Sequence, residues 1–275
     1  LTPTVTTSAM ALPTAFSMDT EAWNGLGYLE STATEAKVSL MPIQTYDMAR
    51  ALPGDTLLCL FPQTPLPTEQ ILAFIHEGGR LVLADDQGYG DLLLDALGLS
   101  RRVPGPTNHD RWYKEQAGLP IVTPTSDHFL FFNVKEVVAN YPAAILGSDD
   151  VLLAFHNPDE ALILERKLGA GSILVIGDPS IFLNEMLRRF YGNKQLAANI
   201  LRYNCAASDC RVHLLLPGST IVGKYRKGIN RLGHFPALFD RGVDTVNGAL
   251  AEFRASLASS PWPATMLAGS LLMLL

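Results

Sequence analysis

Short apolar runs alternate with stretches in which apolar residues recur every three or four positions. The clearest unit spans residues 55–84. Asp55-Thr-Leu-Leu-Cys-Leu-Phe61 has the length of a buried strand and closes on Pro62. Thr68 then caps a helix whose Ile71, Phe74 and Ile75 fall at i, i+3 and i+4. Gly78-Gly79 ends that helix before a second strand, Arg80-Leu-Val-Leu-Ala84. Upstream, the pattern predicts a helix over 19–37 with Trp23, Leu26 and Leu29 on one side, and a strand over 37–41. Downstream, Leu92, Leu93 and Ala96 mark a helix over 89–97. Residues 100–150 are rich in Pro, Gly and polar groups and predict only short strands near 129–132 and 134–139. Regular patterning returns with strands at 151–155, 161–168 and 172–176, the last two joined as a hairpin through Gly169-Ala-Gly171. Helices at 181–190 and 194–203 and a strand at 211–216 follow. Short buried strands alternating with helices predict an α/β fold over 19–216, a mostly parallel sheet flanked by helices on both faces.

With 275 residues, 48% hydrophobic and 17% charged, the chain can bury a sizeable core, and disorder is excluded for most of it. The net charge of −6 conceals a division. Lys224, Arg226, Lys227, Arg231, Arg241 and Arg254 face Asp240, Asp244 and Glu252, so the acidic excess lies before residue 224. An acidic body excludes nucleic acid as the expected partner, because phosphate binding needs clustered Lys and Arg. Residues 1–18, with Thr2, Thr4, Thr6, Thr7 and Ser8, read as a polar linker, and 217–260 as a basic juxtamembrane segment. Pro261-Trp262-Pro263 leads into twelve uncharged, mostly apolar residues, Ala264 to Leu275. They stop short of the roughly 20 that a membrane span needs. A buried helix is the alternative, but it would normally show a polar face, and only Thr265 and Ser270 are available. Residues 261–275 therefore read as the start of a transmembrane helix, with the lipid bilayer as a partner and Trp262 at its interface.

In open parallel sheets, ligands bind beyond the carboxyl ends of the strands. Two such places are polar. Asp85, Asp86 and Gln87 follow one strand; Asp178 and Ser180 follow another, and Asn184 and Asn193 complete a candidate ligand-binding cleft. The competing reading makes Asp178 and Ser180 a helix cap and the 85–87 stretch a solvated loop. No Gly-x-Ser-x-Gly or Gly-x-Cys-x-Gly elbow occurs, and Cys59 lies inside a strand, poorly placed to attack. The six histidines are scattered without metal-ligand spacing. Gly169-Ala-Gly171 precedes a strand and not a helix, so it is a turn and not a phosphate loop. No catalytic residue, metal or cofactor is expected. Cys205 and Cys210 can close a short disulfide in an oxidising compartment.

Several stretches in this order carry a resemblance. They are Glu77-Gly-Gly-Arg-Leu-Val-Leu, then Lys167-Leu-Gly-Ala-Gly-Ser-Ile-Leu-Val-Ile-Gly-Asp-Pro-Ser-Ile-Phe-Leu-Asn184, then Asn193 and Leu196-Ala-Ala-Asn199-Ile-Leu201. Over about 20–216 the chain resembles a bacterial and archaeal domain-of-unknown-function family of membrane proteins. That family is similar to gliding-motility ABC-transporter accessory proteins and to the N-terminal domain of an intraflagellar-transport subunit. The resemblance implies a class I glutamine-amidotransferase-like, flavodoxin-like fold, usually without the Cys-His-Glu triad. It makes Gly177, Asp178, Pro179, Phe182, Asn184, Asn193 and Asn199 fold-defining positions. One departure is Arg211-Val-His-Leu-Leu-Leu216, where many relatives carry an acidic strand end. The resemblance implies an extracytoplasmic domain, whereas the basic segment before the span points to the cytoplasm. The expected function is a non-catalytic, membrane-tethered binding or scaffolding module, an accessory subunit with protein partners in an ATPase- or transporter-associated complex. The alternatives are a sensor for a small sugar or peptide fragment, and a hydrolase or amidotransferase using Asp85, Asp178 and a histidine from 100–150.

Overall fold

A computed structural model describes residues 15–106, 108–147, 150–203 and 211–226. In chain order these form α1 (Gly27–Glu35), β1 (Ser39–Asp47), β2 (Thr56–Leu60), α2 (Thr68–His76), β3 (Arg80–Ala84) and α3 (Asp91–Ala96). Short strands follow: β4 (Ser100–Arg102), β5 (Ile121–Val122), β6 (Val137–Val138), β7 (Ala144–Leu146) and β8 (Val151–Ala154). The described fold ends with β9 (Ala161–Leu168), β10 (Gly171–Ile176), α4 (Asn184–Arg189), α5 (Tyr191–Tyr203) and β11 (Arg211–Val222).

The main sheet runs β1-β11-β2-β3-β10-β9-β7-β4, with β8 also paired to β9. The five strands from β1 to β10 are parallel; β9, β7, β4 and β8 add an antiparallel flank. The expected mixed α/β fold, with its large, mostly parallel sheet and flanking helices, is therefore present. The central strands are buried on both faces and alternate between two cores. Leu58, Leu60, Val82, Ala84, Leu174 and Ile176 pack with α1, α4 and α5. Leu57, Cys59, Leu81, Leu83, Ile173 and Val175 pack with α2 and α3. The predicted hairpin forms as β9 and β10, antiparallel from Leu168 and Gly171 outward.

Several local expectations are corrected. Helix α1 starts only at Gly27, because residues 19–26 make a tight turn in which a Cβ on Gly25 would lie 2.2 Å from the Asp19 carbonyl. Trp23 points to solvent while Leu26 and Leu29 are buried. Thr68 is the first residue of α2 and not its cap; its hydroxyl donates to the Leu66 carbonyl. In α3 the buried residues are Leu93 and Leu94, and Leu92 and Ala96 face outward. Residues 129–131 form a 3-10 turn and not a strand, with Leu130 and Phe131 inside and Phe129 and Phe132 exposed. Within 134–139 only Val137 and Val138 are strand, paired with β5. Strand β1 continues through Pro42 to Asp47, which an edge strand permits. Strand β11 runs beyond Leu216 to Val222, with a register irregularity opposite Ile43 to Thr45. Residues 217–222, assigned from the sequence to the juxtamembrane segment, thus belong to the sheet. Phe16, assigned to the linker, is buried, and its N–H donates to the Asn24 carbonyl.

Among the described residues, no helix is long and apolar enough to cross a membrane. The expected span at 261–275 and the Cys205 and Cys210 pair lie outside the described residues.

Candidate functional site

Because β3 and β10 are parallel neighbours, Asp85 and Asp178 emerge at adjacent carboxyl ends. Asp85 is buried. Its carboxylate accepts the Gly88 and Gly90 N–H groups at 2.5 and 2.8 Å and pairs with Arg101 Nη1 at 2.7 Å. Arg101 also pairs with Asp91 at 2.8 Å and donates to the Gly88 carbonyl. The 85–90 loop wraps so closely that a Cβ on Gly88 or Gly90 would stand 2.6 Å from the Asp85 carboxylate. Burial pushes the Asp85 carboxyl up, against the opposing pull of Arg101 and the two N–H groups.

Asp178 is fully buried. It accepts the Asn140 N–H at 2.6 Å and the Ser180 N–H at 2.7 Å, the latter capping the 3-10 turn at Pro179–Phe182. Burial pushes its carboxyl up to about 7 despite these donors. Asp86, half-buried, is also raised, first by burial and then by Asp85. One buried Asp86 oxygen has no hydrogen-bond partner among the described residues. Gln87 is exposed at the tip of the same loop.

The predicted asparagines do not bond to these carboxylates and bind backbone instead. Asn184 accepts the Tyr28 N–H at 2.7 Å and donates to the carbonyls of Asp19 and Ala22 at 2.8 and 2.7 Å, fixing the turn before α1. Asn193 exchanges both bonds with Val138, at 2.9 and 2.8 Å. Asn199, on the next turn and a half of α5, donates to the carbonyls of Leu130 and Phe132. Asp178, Asn193 and Asn199 together therefore pin the irregular 130–140 stretch to the sheet and α5. Five side chains that the sequence suggested for ligands or fold definition, Asp85, Asp178, Asn184, Asn193 and Asn199, are thus tied to the protein's own loops.

The chemistry available at these strand ends is limited. Cys59 is buried in β2, and burial, with Asp85 nearby, pushes its thiol up to about 12, so it holds its proton at neutral pH. No histidine from the 100–150 segment appears among the bonds of Asp85 and Asp178. His128 instead lies 3.7 Å from Glu165 and packs edge-on to Tyr203. His109 contacts the Ile121 carbonyl at 2.9 Å. Among the described residues there is no cluster of His, Cys, Asp and Glu able to hold a metal.

Two of the cavities that escaped the sequence reading lie near aromatic and histidine side chains. At the carboxyl end of β2, beside the middle of β11, Phe16, Ser17, Phe61, Gln63, Leu216 and Pro217 line a mainly apolar cavity of about 260 Å³. Phe61, directly after β2, has φ 46°, and Phe16 has φ 61°. The left-handed region is costly for a bulky residue and persists only where surrounding packing enforces it. Here the two rings stack, 5.9 Å between centroids and 12° between planes. The second cavity, about 310 Å³, has a mixed lining in which His109, Asp110, Arg111, Thr123 and His156 stand beside Val122 and Phe155. His156 lies 3.5 Å from Asp110, and Arg111 donates to Thr123 at 2.6 Å. The only sequence sign of the first cavity was an aromatic residue caught between a strand and Pro62; the second had none.

The family model described as "Domain of unknown function (DUF4350)" matches residues 18–201. The chain belongs to this family. The DUF4350 match contains Asp85, Asp178, Asn184, Asn193 and Asn199, and leaves β11 and Phe16 outside it. No curated protein matches the chain. Among solved structures, the mmIFT52 N-terminal domain is similar at 12% identity over 56% of this chain and 78% of that one, with a TM-score of 0.44. The exo-β-1,4-mannosidase Op5Man5 from Opitutaceae bacterium strain TAV5 is similar at 14% identity, over 56% of this chain and 26% of its own, with a TM-score of 0.36. A β-galactosidase from Rahnella sp. R3 follows at 15% identity, over 49% and 22%, with a TM-score of 0.34. The chain thus spans about a quarter of either glycosidase, and none of these likenesses bears on the function of the DUF4350 domain.

Proposed function

We propose that this domain is a non-catalytic binding or scaffolding module, with a glutamine-amidotransferase-like architecture related to gliding-motility transporter accessory proteins. In this reading it is tethered to a membrane through the segment from Pro261 onward, faces the extracytoplasmic side, and serves as an accessory subunit of an ATPase- or transporter-associated complex. The observation that carries the reading is the use made of the strand-end polar groups. Asp85 and Asp178 spend their carboxylates on backbone N–H groups and Arg101, and Asn184 and Asn193 spend their amides on loops. A catalytic acid or base would need a free face toward a substrate. What the strand ends offer a partner is the apolar cavity beside Phe61, suited to an aliphatic or aromatic side chain.

The test is to purify the tagged full-length protein from its native membrane in mild detergent and measure the stoichiometry of what accompanies it. A stoichiometric partner is expected, kept by Cys59→Ala and lost on Gln63→Trp, which fills the cavity from its exposed rim. A solitary protein, or an enzymatic activity abolished by Asp178→Asn in a folded chain, contradicts the proposal. The mixed polar and apolar cavity around His109, Asp110 and His156 favours a second reading, a sensor for a small sugar or peptide fragment. Saturable thermal stabilisation by such ligands, lost on His156→Ala, would select it.

A further inference from the structure

At the opposite ends of the central strands from the strand-end carboxylates, three polar side chains form a row. The register pairs Arg80 of β3 with Ser172 of β10, and Ser172 with Lys167 of β9. Directly paired residues project from the same face of a sheet. That face is the one covered by α5, since Val82 and Leu174, two residues farther along their strands, share a core with Leu196 and Ile200. Tyr203, the last residue of α5, reaches down to this row and donates its hydroxyl to Glu165, with oxygens at 2.9 and 3.1 Å. Arg80, Glu165, Lys167, Ser172 and Tyr203, with the Gly169–Gly171 turn, line a cavity of about 320 Å³.

Among the described residues that line it, the charges in this cavity do not balance. Glu165 is the one carboxylate among them, and the Tyr203 hydroxyl and the nearby His128 ring already face it. Arg80 Nη1 is buried and has no hydrogen-bond partner among the described residues. A buried guanidinium N–H without an acceptor is destabilising, and such a group is matched by planar or tetrahedral oxyanions. We propose that this cavity is a binding site for a phosphate group, held by the Arg80 guanidinium, the Lys167 ammonium and the Ser172 hydroxyl. Donors converge from three adjacent strands, which suits a tetrahedral oxyanion better than the two oxygens of a carboxylate. The cavity exceeds what one phosphate needs, so the group can be free phosphate or the end of a phosphate monoester. The site lies at the amino ends of β3 and β10, away from the cavity of the proposed function, and stands without that reading.

The experiment is calorimetric titration of the full-length protein with inorganic phosphate, phosphoserine and acetate, on wild type, Arg80→Met and Lys167→Met. Wild type is expected to bind phosphate saturably and to prefer it to acetate. Each variant is expected to lose about tenfold or more in affinity, the scale of one charge-assisted hydrogen bond. Tighter binding of phosphoserine than of phosphate identifies a monoester as the ligand; equal binding identifies the free ion. Arg80→Met removes the unmatched charge, so its melting temperature in phosphate-free buffer is expected to equal or exceed wild type, which separates lost binding from lost folding. No saturable phosphate binding, equal affinity for acetate, or undiminished affinity in both variants would overturn the proposal.

Discussion

Asp178 illustrates how one residue type serves two readings. Its position after a strand and before Pro179 suggested either a ligand or a cap, and the cap is what the bond to the Ser180 N–H makes of it. That part was legible because cap and capped group are two residues apart. The bond to Asn140 was not, since the partner lies 38 residues away. The same holds for Asn184 and Tyr28, separated by 156 residues, and for Asn193 and Val138, separated by 55. A polar residue held by distant backbone looks, along the sequence, like one free for chemistry. Burial of Asp178 also has a consequence for stability. Its carboxyl titrates near 7 when folded and near 4 when unfolded. Between those values the folded chain holds a proton that the unfolded chain has released, so stability falls as pH rises through this window. The slope from this residue is about 1 kcal/mol per pH unit, flat below about 4 and above about 7. Asp85 and Asp86 shift in the same direction. Urea denaturation from pH 5 to 8 is therefore expected to show wild type weakening as pH rises, and Asp178→Asn is expected to flatten that decline.

Helices and strands were legible where a segment's pattern had only one structural use. The β2-α2-β3 unit has uniformly apolar strands around a helix with one apolar stripe, and the β9-β10 hairpin has an unambiguous glycine turn. The pattern misled where neighbours decided the outcome. Leu92, Leu93 and Leu94 are equally apolar, and the placement of the helix against its neighbours, α2 among them, determines that Leu93 and Leu94 face inward. Strand β11 continues through Pro217 and Gly218 because β1 supplies a partner beyond the bulge, which local sequence does not encode. The turn between α2 and β3 gives a quantitative check, because its two glycines act for different reasons. Gly78 has φ +111°, and a Cβ there would meet only ordinary van der Waals neighbours, Ala170 and Pro53 at 3.8 Å, so Gly78→Ala costs about 1–2 kcal/mol in backbone strain. Gly79 has no such strain, but a Cβ there would stand 2.3 Å from the Phe74 ring, so Gly79→Ala must displace a fully buried aromatic residue. Gly79→Ala is expected to be the worse of the two, at about 2–4 kcal/mol, by equilibrium denaturation.

Across the described fold, the two cores and the buried polar residues divide the labour. The parallel strands are held by apolar contacts on both faces, while the long irregular connection from β4 to β7 lacks enough regular pairing to hold itself. Asp178, Asn193 and Asn199 supply that hold from β10 and α5. Their side chains thus act on the protein's own backbone, as the proposed binding role for this domain requires. The most direct test is hydrogen exchange by mass spectrometry over the full chain, comparing wild type with Asp178→Ala under conditions where both are folded. Exchange is expected to accelerate at residues 137–141 and 178–182 and to stay unchanged in β2, β3 and β10. Unaltered protection at 137–141 and 178–182 in a folded Asp178→Ala chain would mean that Asp178 does not anchor these loops, and the structural account of the strand-end carboxylates would be wrong.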